Sequence, residues 1–113
     1  MSAITTHVLD VSRGEPAVGV AVRLELSGAE GWNELGSGQT DEDGRVSDLL
    51  AEERELIPGV YRLTFEVGGY FAARQVESFY PRAAVEFEVT GGSPHYHVPL
   101  LLSPFGYSTY RGS

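Results

Sequence analysis

The chain has 113 residues, no cysteine, and a net charge of −8 that results from 16 acidic and 8 basic side chains. One domain of this length, residues 1–113, buries roughly two-thirds of the surface of its unfolded chain and needs no disulfide to be stable. The acidic balance argues against nucleic acid and anionic membranes as partners, because both require basic surfaces, and the lack of cysteine excludes thiolate metal sites.

The sequence also bears on where the protein acts. Residues 1–7 contain neither the basic segment nor the apolar segment of a signal peptide. No apolar stretch of the chain approaches the ~18 residues that a membrane-spanning helix requires. Together with the absence of cysteine, these features predict a cytoplasmic protein.

The first predicted strand, residues 4–10, carries one of the three histidines of the chain. Because side chains alternate across a strand, Thr5 and His7 share one face with Leu9, while Val8 points to the other face. A single histidine on a strand is most often a hydrogen-bonded structural residue, and histidine is also the side chain best suited to proton transfer near neutral pH. Both roles are open for His7 at this point.

Three later segments show a clean period of two. Apolar residues occupy every second position in residues 18–26, 61–67 and 85–89, so each strand turns one face to a core and the other to solvent. Glycine, proline and acidic residues separate these segments. Many short strands divided by turns predict an all-β fold, either a β-sandwich or a barrel.

The segment Asp41-Glu42-Asp43-Gly44-Arg45 lies between the first two of these strands. It begins like a calcium loop but lacks the remaining ligands and the bidentate glutamate, so we interpret it as an acidic turn with glycine at the tight position. Arg45 begins the next extended segment. Its guanidinium either forms a solvated ion pair of little energetic value with the neighbouring carboxylates, or it serves as a forked donor to carbonyl or carboxylate oxygens.

Two segments have helical character. Residues 48–56 contain leucines and glutamates but run into Pro58, and residues 70–76 contain good helix formers after a double glycine. We expect a single short helix, from Tyr70 to Val76.

His95 and His97 are two residues apart and therefore face the same side of a strand. Such a pair can bind zinc when a third ligand comes from elsewhere in the fold. The pattern alone is weak, and a structural role is more common for histidines of this kind. A zinc hydrolase built on His7, His95 and His97 is kept as an alternative.

The last ten residues, 104–113, hold three aromatic residues and an arginine, and they follow the apolar run of residues 98–102. A chain end is normally poorly ordered, whereas an aromatic-rich end attached to a core strand is expected to dock on the domain. Docking would fix the terminal carboxylate as a group that can act in a site. The simpler interpretation is a last strand that ends the fold.

Taken together, the motifs of this sequence resemble those of the 5-hydroxyisourate hydrolases, the transthyretin-related enzymes of purine breakdown. The resemblance covers the whole chain. Its most specific part is Tyr110-Arg111-Gly112-Ser113, an ending that separates the hydrolases from transthyretin, the hormone carrier of the same fold. The other matching pieces are Thr6-His7-Val8-Leu9-Asp10, Arg13-Gly14, Pro16-Ala17, Thr40, Asp43-Gly44-Arg45, Gly59-Val60-Tyr61, Tyr70-Phe71, His95-Tyr96-His97-Val98-Pro99-Leu100-Leu101-Leu102-Ser103-Pro104 and Tyr107-Ser108-Thr109.

The resemblance implies a transthyretin-like (prealbumin-like) two-sheet β-sandwich of about eight strands with one short helix. It implies a homotetramer, a dimer of dimers, with active sites in a channel between the dimers. The catalytic set of the family falls on His7, Arg45, His97 and Ser113, and the substrate-binding set adds Tyr110, Arg111 and Gly112. His95 belongs to neither set.

The implied activity is hydrolysis of 5-hydroxyisourate to 2-oxo-4-hydroxy-4-carboxy-5-ureidoimidazoline in urate degradation. Water adds to an activated ring carbonyl and the ring opens, which calls for a base and for a group that stabilises the developing oxyanion. Histidine and arginine suit these two tasks, so no cofactor, metal or covalent nucleophile is expected. We expect His7 and His97 to handle the water as a pair. A transthyretin-like small-ligand carrier without catalysis is the alternative.

Overall fold

The computed structural model describes residues 3–51 and 54–113. These residues form nine strands and one helix in two sheets, which confirms the predicted two-sheet sandwich with a single short helix. About eight strands were predicted, and two of the nine are only two residues long. The elements are β1 Ile4–Asp10, β2 Glu15–Pro16, β3 Ala21–Gly28, β4 Gly31–Gln39, β5 Arg45–Val46, β6 Gly59–Phe65, α1 Val67–Ala73, β7 Ala83–Val89, β8 Tyr96–Ser103 and β9 Gly106–Thr109.

The first sheet has the strand order β2-β1-β8-β9, and β5 also pairs with β1. β1 and β8 run parallel, whereas the other pairs of this sheet are antiparallel. β8 occupies one edge of β1, and β2 and β5 share the other edge. β2 pairs with the last two residues of β1, whereas β5 pairs with Thr6 and His7. The second sheet has the order β4-β3-β6-β7 and is antiparallel throughout.

The core lies between the two sheets and is filled by every second side chain of their strands. Val8 and Leu100 of the first sheet and Leu24 and Leu63 of the second have no exposed surface. Burial of one such side chain contributes about 1.5–3 kcal/mol. The alternate positions face outward, which leaves the outer face of β1 and β8 available for polar residues.

The strand predicted to begin at Val18 begins later. β3 starts at Ala21, and Val18 lies in the preceding turn with 39% of its surface exposed. Gly19 adopts a left-handed φ of 83°, a conformation that a strand cannot continue, so the inclusion of Val18 was wrong. The strands predicted over residues 61–67 and 85–89 correspond to β6 and β7. The inclusion of Val67 was wrong, because β6 ends at Phe65 and Val67 begins the helix α1.

The helix α1 starts three residues before the predicted Tyr70 and ends at Ala73. Val67, Tyr70 and Phe71 are buried at the i, i+3, i+4 spacing of one helix face. The double glycine lies inside the helix. Glycine is required at Gly68 because this residue packs against the backbone of Tyr80 and Pro81. A Cβ on Gly68 would lie only 2.9 Å from the Pro81 carbonyl oxygen.

One buried carboxylate connects α1 to the first sheet. Asp10, the last residue of β1, is 1% exposed and accepts a hydrogen bond of 2.8 Å from the Tyr70 hydroxyl. Its other oxygen accepts bonds from the backbone N–H and the hydroxyl of Ser12. Burial, together with this bond to Asp10, raises the pKa of the Tyr70 hydroxyl. The polar link therefore sets the position of the helix at the end of β1.

Residues 1, 2, 52 and 53 lie outside the described part of the chain. The second helix candidate, residues 48–56, is described only in part, and residues 48–51 and 54–56 contain no helix. The N-terminal segment that was interpreted as lacking a signal peptide is described from Ala3 onward. Among the described residues, no helix is long and apolar enough to cross a membrane.

Candidate active site

A cavity of about 370 Å³ lies on the outer face of the first sheet, where β1, β5 and β8 meet the last four residues of the chain, 110–113, here called the tail. Its walls contain Arg45, His97 and Ser113, three of the four residues of the predicted catalytic set. The fourth, His7, is half-buried on β1 and is paired in register with Arg45 of β5. The remaining lining residues are Thr5, Thr6, Val46, Ser47 and His95.

The parallel pairing of β1 with β8 brings Thr5 and His97 together. The two residues are opposite each other in the register, and Thr5 Oγ1 lies 2.8 Å from His97 Nδ1. The same oxygen lies 3.1 Å from His95 Nε2. The two imidazole rings are nearly parallel, with an interplanar angle of 11° and centres 6.5 Å apart. His95 and His97 therefore share one face, as their spacing predicted, and one hydroxyl connects them.

Arg45 reaches the site because a tight turn fixes the start of β5. The Asp41 carboxylate accepts hydrogen bonds from the backbone N–H groups of Asp43 and Arg45, at 2.9 and 3.0 Å, and the Arg45 bond is the main cause that lowers the pKa of Asp41. Gly44 provides the left-handed residue of the turn, with φ 76°. Its carbonyl accepts the Val8 N–H at 2.7 Å, which attaches the turn to β1.

The guanidinium of Arg45 makes no ion pair with any described residue. The interpretation of Arg45 as the partner of its acidic neighbours is therefore not supported, since Asp41 binds backbone N–H groups instead. Arg45 is exposed at the cavity wall. A forked cation in this position is suited to bind oxygen atoms of a ligand.

The tail docks against His97 through Gly112. The Gly112 N–H donates to the His97 carbonyl at 2.8 Å, and the two residues form a β-bridge. A Cβ on Gly112 would lie 2.6 Å from His97 Cδ2, so only glycine allows this approach. The expectation of a docked chain end is met at this point, and docking carries Ser113 to the histidine cavity.

Tyr110 and Arg111 lie elsewhere in the single chain. They line a separate cavity of about 160 Å³ beside β7 and β8. The Arg111 guanidinium carbon lies 4.6 Å from the centre of the Tyr96 ring, in a cation–π contact. The tail thus divides at Gly112, with two residues of the predicted substrate-binding set on one side and Ser113 on the other.

The imidazole of His97 is kept in its neutral form. Burial lowers the pKa of His97, and the neighbouring basic residues Arg45, His7 and His95 lower it further, whereas backbone hydrogen bonding with Thr5 has the smallest effect and raises it. The lowering causes prevail because a desolvated imidazolium beside other basic groups is costly. A histidine whose pKa lies below its usual value is a free base at neutral pH, as proton abstraction from water requires.

The zinc alternative is not supported by the arrangement of the histidines. Within residues 3–51 and 54–113, no three His, Asp or Glu side chains stand close enough together to hold one metal ion. His95 and His97 instead direct ring nitrogens at the same threonine hydroxyl.

Thr5 is the member of the cluster that sequence reasoning missed. It was placed on the same face as His7 but given no role. Its contact with both histidines depends on the parallel pairing of β1 with β8, which are about 90 residues apart in sequence. The only sequence signal was the polar outer face of β1, where Thr5 and His7 alternate with buried residues.

A family model described as the HIUase/Transthyretin family matches residues 4–112. The chain belongs to this family. A 5-hydroxyisourate hydrolase of Salmonella dublin is 47% identical over 110 residues, which cover 97% of this chain and 80% of the relative. The structure of Klebsiella pneumoniae 5-hydroxyisourate hydrolase superposes with a TM-score of 0.86 at 41% identity and covers 99% of this chain and 100% of that one. Sea bream transthyretin in complex with thyroxine gives a TM-score of 0.90 at 32% identity, covering 98% and 95%.

Enzyme and carrier relatives cannot be separated by fold, since both superpose with TM-scores of 0.86 or higher. Identity is higher for the two hydrolases, at 47% and 41%, than for the transthyretin, at 32%. Because one fold can hold different functions, the side chains around the cavity must decide between them.

Proposed function

We propose that this protein hydrolyses 5-hydroxyisourate to 2-oxo-4-hydroxy-4-carboxy-5-ureidoimidazoline, a step of urate degradation. The observation that carries the proposal is the convergence of Arg45, His97 and Ser113 on one cavity, with His7 beside Arg45. It occurs in a chain 47% identical to a 5-hydroxyisourate hydrolase over 97% of its length. A neutral imidazole beside a cation suits the addition of water to a carbonyl.

The residues have complementary roles in this reaction. The water oxygen bonds to a ring carbonyl carbon while a proton of the water passes to the His7–His97 pair. The Arg45 guanidinium donates hydrogen bonds to the carbonyl oxygen as negative charge develops there. The carbon–nitrogen bond of the ring then breaks, and the leaving nitrogen takes a proton. Ser113 supplies a hydroxyl at the wall of the histidine cavity, and Gly112 allows the tail to approach His97 closely enough to place Ser113 there.

Carrier function is the second candidate, because the chain also superposes on a thyroxine-bound transthyretin with a TM-score of 0.90. A carrier would bind an aromatic ligand without changing the rate of any reaction. Its ligand would not require a neutral base such as His97 in the wall of its site.

One experiment separates the two candidates. Purified protein is added to freshly made 5-hydroxyisourate, and ultraviolet absorbance is followed against spontaneous decay. The enzyme accelerates the decay in proportion to its concentration, whereas a carrier leaves it unchanged and binds thyroxine in calorimetry. The matched control is His97→Asn, which keeps the size and polarity of the residue but removes the base.

The assembly, compartment and metal requirement are also part of the proposal. We propose a homotetramer, a dimer of dimers, in which Tyr110 and Arg111 take part in substrate binding in a channel between the dimers. We propose that the protein acts in the cytoplasm and needs no cofactor or metal. Activity should therefore withstand treatment with a strong chelator, and loss that is restored by stoichiometric zinc would contradict this part.

A further inference from the structure

Thr5 has no place in the set of residues that the family resemblance supplies, yet its hydroxyl lies at the centre of the histidine cluster. Thr5 is 8% exposed, and its oxygen lies 2.8 Å from His97 Nδ1 and 3.1 Å from His95 Nε2. We propose that Thr5 is a positioning residue that holds neutral His97 as its Nδ1–H tautomer. In this arrangement His97 Nδ1–H donates to the Thr5 hydroxyl, and the Thr5 hydroxyl donates to His95. The catalytic consequence, though not the tautomer itself, rests on the proposed function.

The geometry permits two directions of hydrogen bonding, because a hydroxyl has a single proton. In one direction, His97 Nδ1–H donates to Thr5 and the Thr5 hydroxyl donates to His95 Nε2. In the other, His95 Nε2–H donates to Thr5 and Thr5 donates to His97 Nδ1. The two directions leave opposite groups on His97 Nε2, a lone pair in the first and a proton in the second.

Only the first direction leaves a lone pair on His97 Nε2 that can act as the base. Its Nδ1 is occupied by Thr5 at 2.8 Å, so Nε2 is the one ring nitrogen left to accept a proton from water. When Nε2 takes that proton, Nδ1–H keeps its bond to Thr5, and no hydrogen bond has to reverse. A base that is already oriented for both of its protonation states avoids reorganisation during the reaction.

The backbone makes Thr5 a rigid support. The parallel register sets Thr5 directly opposite His97, and a β-branched side chain on a strand has few rotamers. The bridge between His97 and Gly112 holds the opposite side of the histidine backbone. Both the ring nitrogen and the backbone of His97 are thus fixed by neighbours.

The charged and titratable groups around His97 affect whether its ring is protonated, but they do not select the tautomer of the neutral ring. They are Arg45 from β5, His7 from β1 and His95 from the segment before β8, with Ser113 from the tail. The three basic groups oppose protonation of the ring, and burial acts in the same direction on the pKa of His97. Backbone hydrogen bonding with Thr5 raises the pKa of His97 but is the smallest of these causes. The net lowering favours the neutral ring, and the Thr5 hydroxyl sets which nitrogen carries the remaining proton.

The tautomer can be measured directly and without substrate. Nitrogen-15 labelling of the three histidines followed by long-range proton–nitrogen NMR distinguishes a protonated ring nitrogen from an unprotonated one. His7→Asn and His95→Asn spectra assign the signals. We expect wild-type His97 at pH 8 to show a protonated Nδ1 and an unprotonated Nε2.

Variants at Thr5 test the cause. Thr5→Val keeps the shape of the side chain but removes the hydroxyl, and it should move His97 to the Nε2–H form that a neutral histidine side chain prefers in water. Thr5→Ser should restore the Nδ1–H form. Thr6→Val is the matched control, because the adjacent Thr6 hydroxyl bonds the Val98 carbonyl and not a histidine; its His97 signals should remain those of wild type.

Kinetics give the second measurement. Thr5→Val should lower kcat by roughly 10- to 100-fold, less than the ~100- to 10,000-fold usually lost with the acid–base group itself, because the base is misoriented rather than removed. KM should change little, and Thr5→Ser should keep kcat near the wild-type value. Wild-type His97 in the Nε2–H form, or a Thr5→Val protein with unchanged His97 signals, would overturn the inference whatever the activity. A Thr5-dependent Nδ1–H form in a protein that does not hydrolyse 5-hydroxyisourate would instead refute only the proposed function.

Discussion

The neutral His97 is the residue on which the proposed chemistry depends. Its burial and its basic neighbours, first among them Arg45, lower the pKa of His97, while Thr5 Oγ1 lies 2.8 Å from its Nδ1. One of these neighbours has a second role in the proposed mechanism, in which Arg45 would stabilise negative charge that develops on a bound oxygen. A neutral base beside an arginine that forms no ion pair within residues 3–51 and 54–113 suits the proposed addition of water to a carbonyl.

The lowered pKa of His97 predicts the pH dependence of the reaction. The base is lost when His97 takes a proton, which occurs below its folded pKa and hence below the ordinary histidine value of about 6.5. We therefore expect kcat/KM to stay level as pH falls through 6.5 and to drop only at lower pH. Rates measured from pH 5 to 9, corrected for spontaneous decay, test this. A midpoint at or above 6.5 would contradict the assignment of His97 as the base.

The same shift has a consequence for stability with a definite sign. The unfolded chain protonates His97 near pH 6.5, whereas the folded chain protonates it only at lower pH. The contribution of His97 to folding is therefore complete above the unfolded value and is lost as pH falls towards the folded one.

The individual histidines should differ in their contributions. His7→Asn and His97→Asn should each lower kcat by about 100- to 10,000-fold, the usual range for acid–base catalysis. His95→Asn should lower kcat only slightly, because the proposed role of His95 is to accept a hydrogen bond from the Thr5 hydroxyl and not to contact the substrate. Circular dichroism and light scattering serve as controls for folding and assembly. Rates of wild-type level in either of the first two variants would remove that residue from the mechanism.

At the scale of elements, the strands could be predicted from local alternation but their pairing could not. β6 and β7 follow from the period of two, because every second side chain of each faces the core. The alternate side chains of β7 are exposed, whereas Arg62 of β6 is half-buried and Thr64 is buried. The parallel pairing of β1 with β8 joins distant segments and leaves no local pattern. The Thr5–His97 contact depends on that pairing, which is why Thr5 was missed.

Short strands and close approaches were equally hidden. β5 has two residues, too few for alternation, and its place is set by the Asp41 turn and by its bonds to β1. Gly68 is accepted inside α1 because neighbouring backbone excludes a Cβ, a tertiary effect that local propensity does not contain. The candidate site residues came from the family resemblance. The fold shows how separate elements bring Arg45, His97 and Ser113 to one cavity, with His7 paired in register with Arg45.

The tail is an element whose role can be tested by removal. Deletion of residues 110–113 should abolish activity while the sandwich remains folded, because Tyr110, Arg111 and Ser113 are exposed and contribute little to the core. The loss should come from the missing cavity wall. Activity assays together with urea unfolding of the truncated protein test this. A truncated protein with full activity would show that the tail has no part in the site.

A finer change tests the docking itself. Gly112→Ala adds one methyl group that would lie 2.6 Å from His97 Cδ2, so the tail must move away from the ring. Errors of ~1 Å in position can cost on the order of 100-fold in rate. Gly92→Ala is a suitable control, since a Cβ there has only the Thr90 hydroxyl oxygen within 4 Å, at 3.9 Å. Equal activity in the two variants would contradict the importance of the close approach.

At the scale of the whole molecule, exposed aromatic residues indicate contacts beyond the single chain. Phe79 is 70% exposed and Phe105 is 63% exposed. Phe79, Tyr80 and Tyr107 stack edge to face in one cluster, with ring centres 4.9 and 5.2 Å apart. The Phe79 N–H also bonds the Pro104 carbonyl, which holds the cluster against the loop after β8. An ordered apolar surface of this kind usually marks an interface.

The homotetramer that we propose from the family resemblance has a mass of four times 12.3 kDa, or about 49 kDa. Light scattering at micromolar concentration measures it directly. Phe79→Ser should weaken assembly because it removes the most exposed aromatic ring of the cluster, whereas Val60→Ser, on β6 and 38% exposed, is the control that should not. If Phe79→Ser yields smaller species and also loses activity, the site depends on neighbouring copies, as a channel between dimers requires. A wild-type monomer of about 12 kDa that is fully active would exclude the channel, and the substrate would then have to be bound by the residues of a single chain.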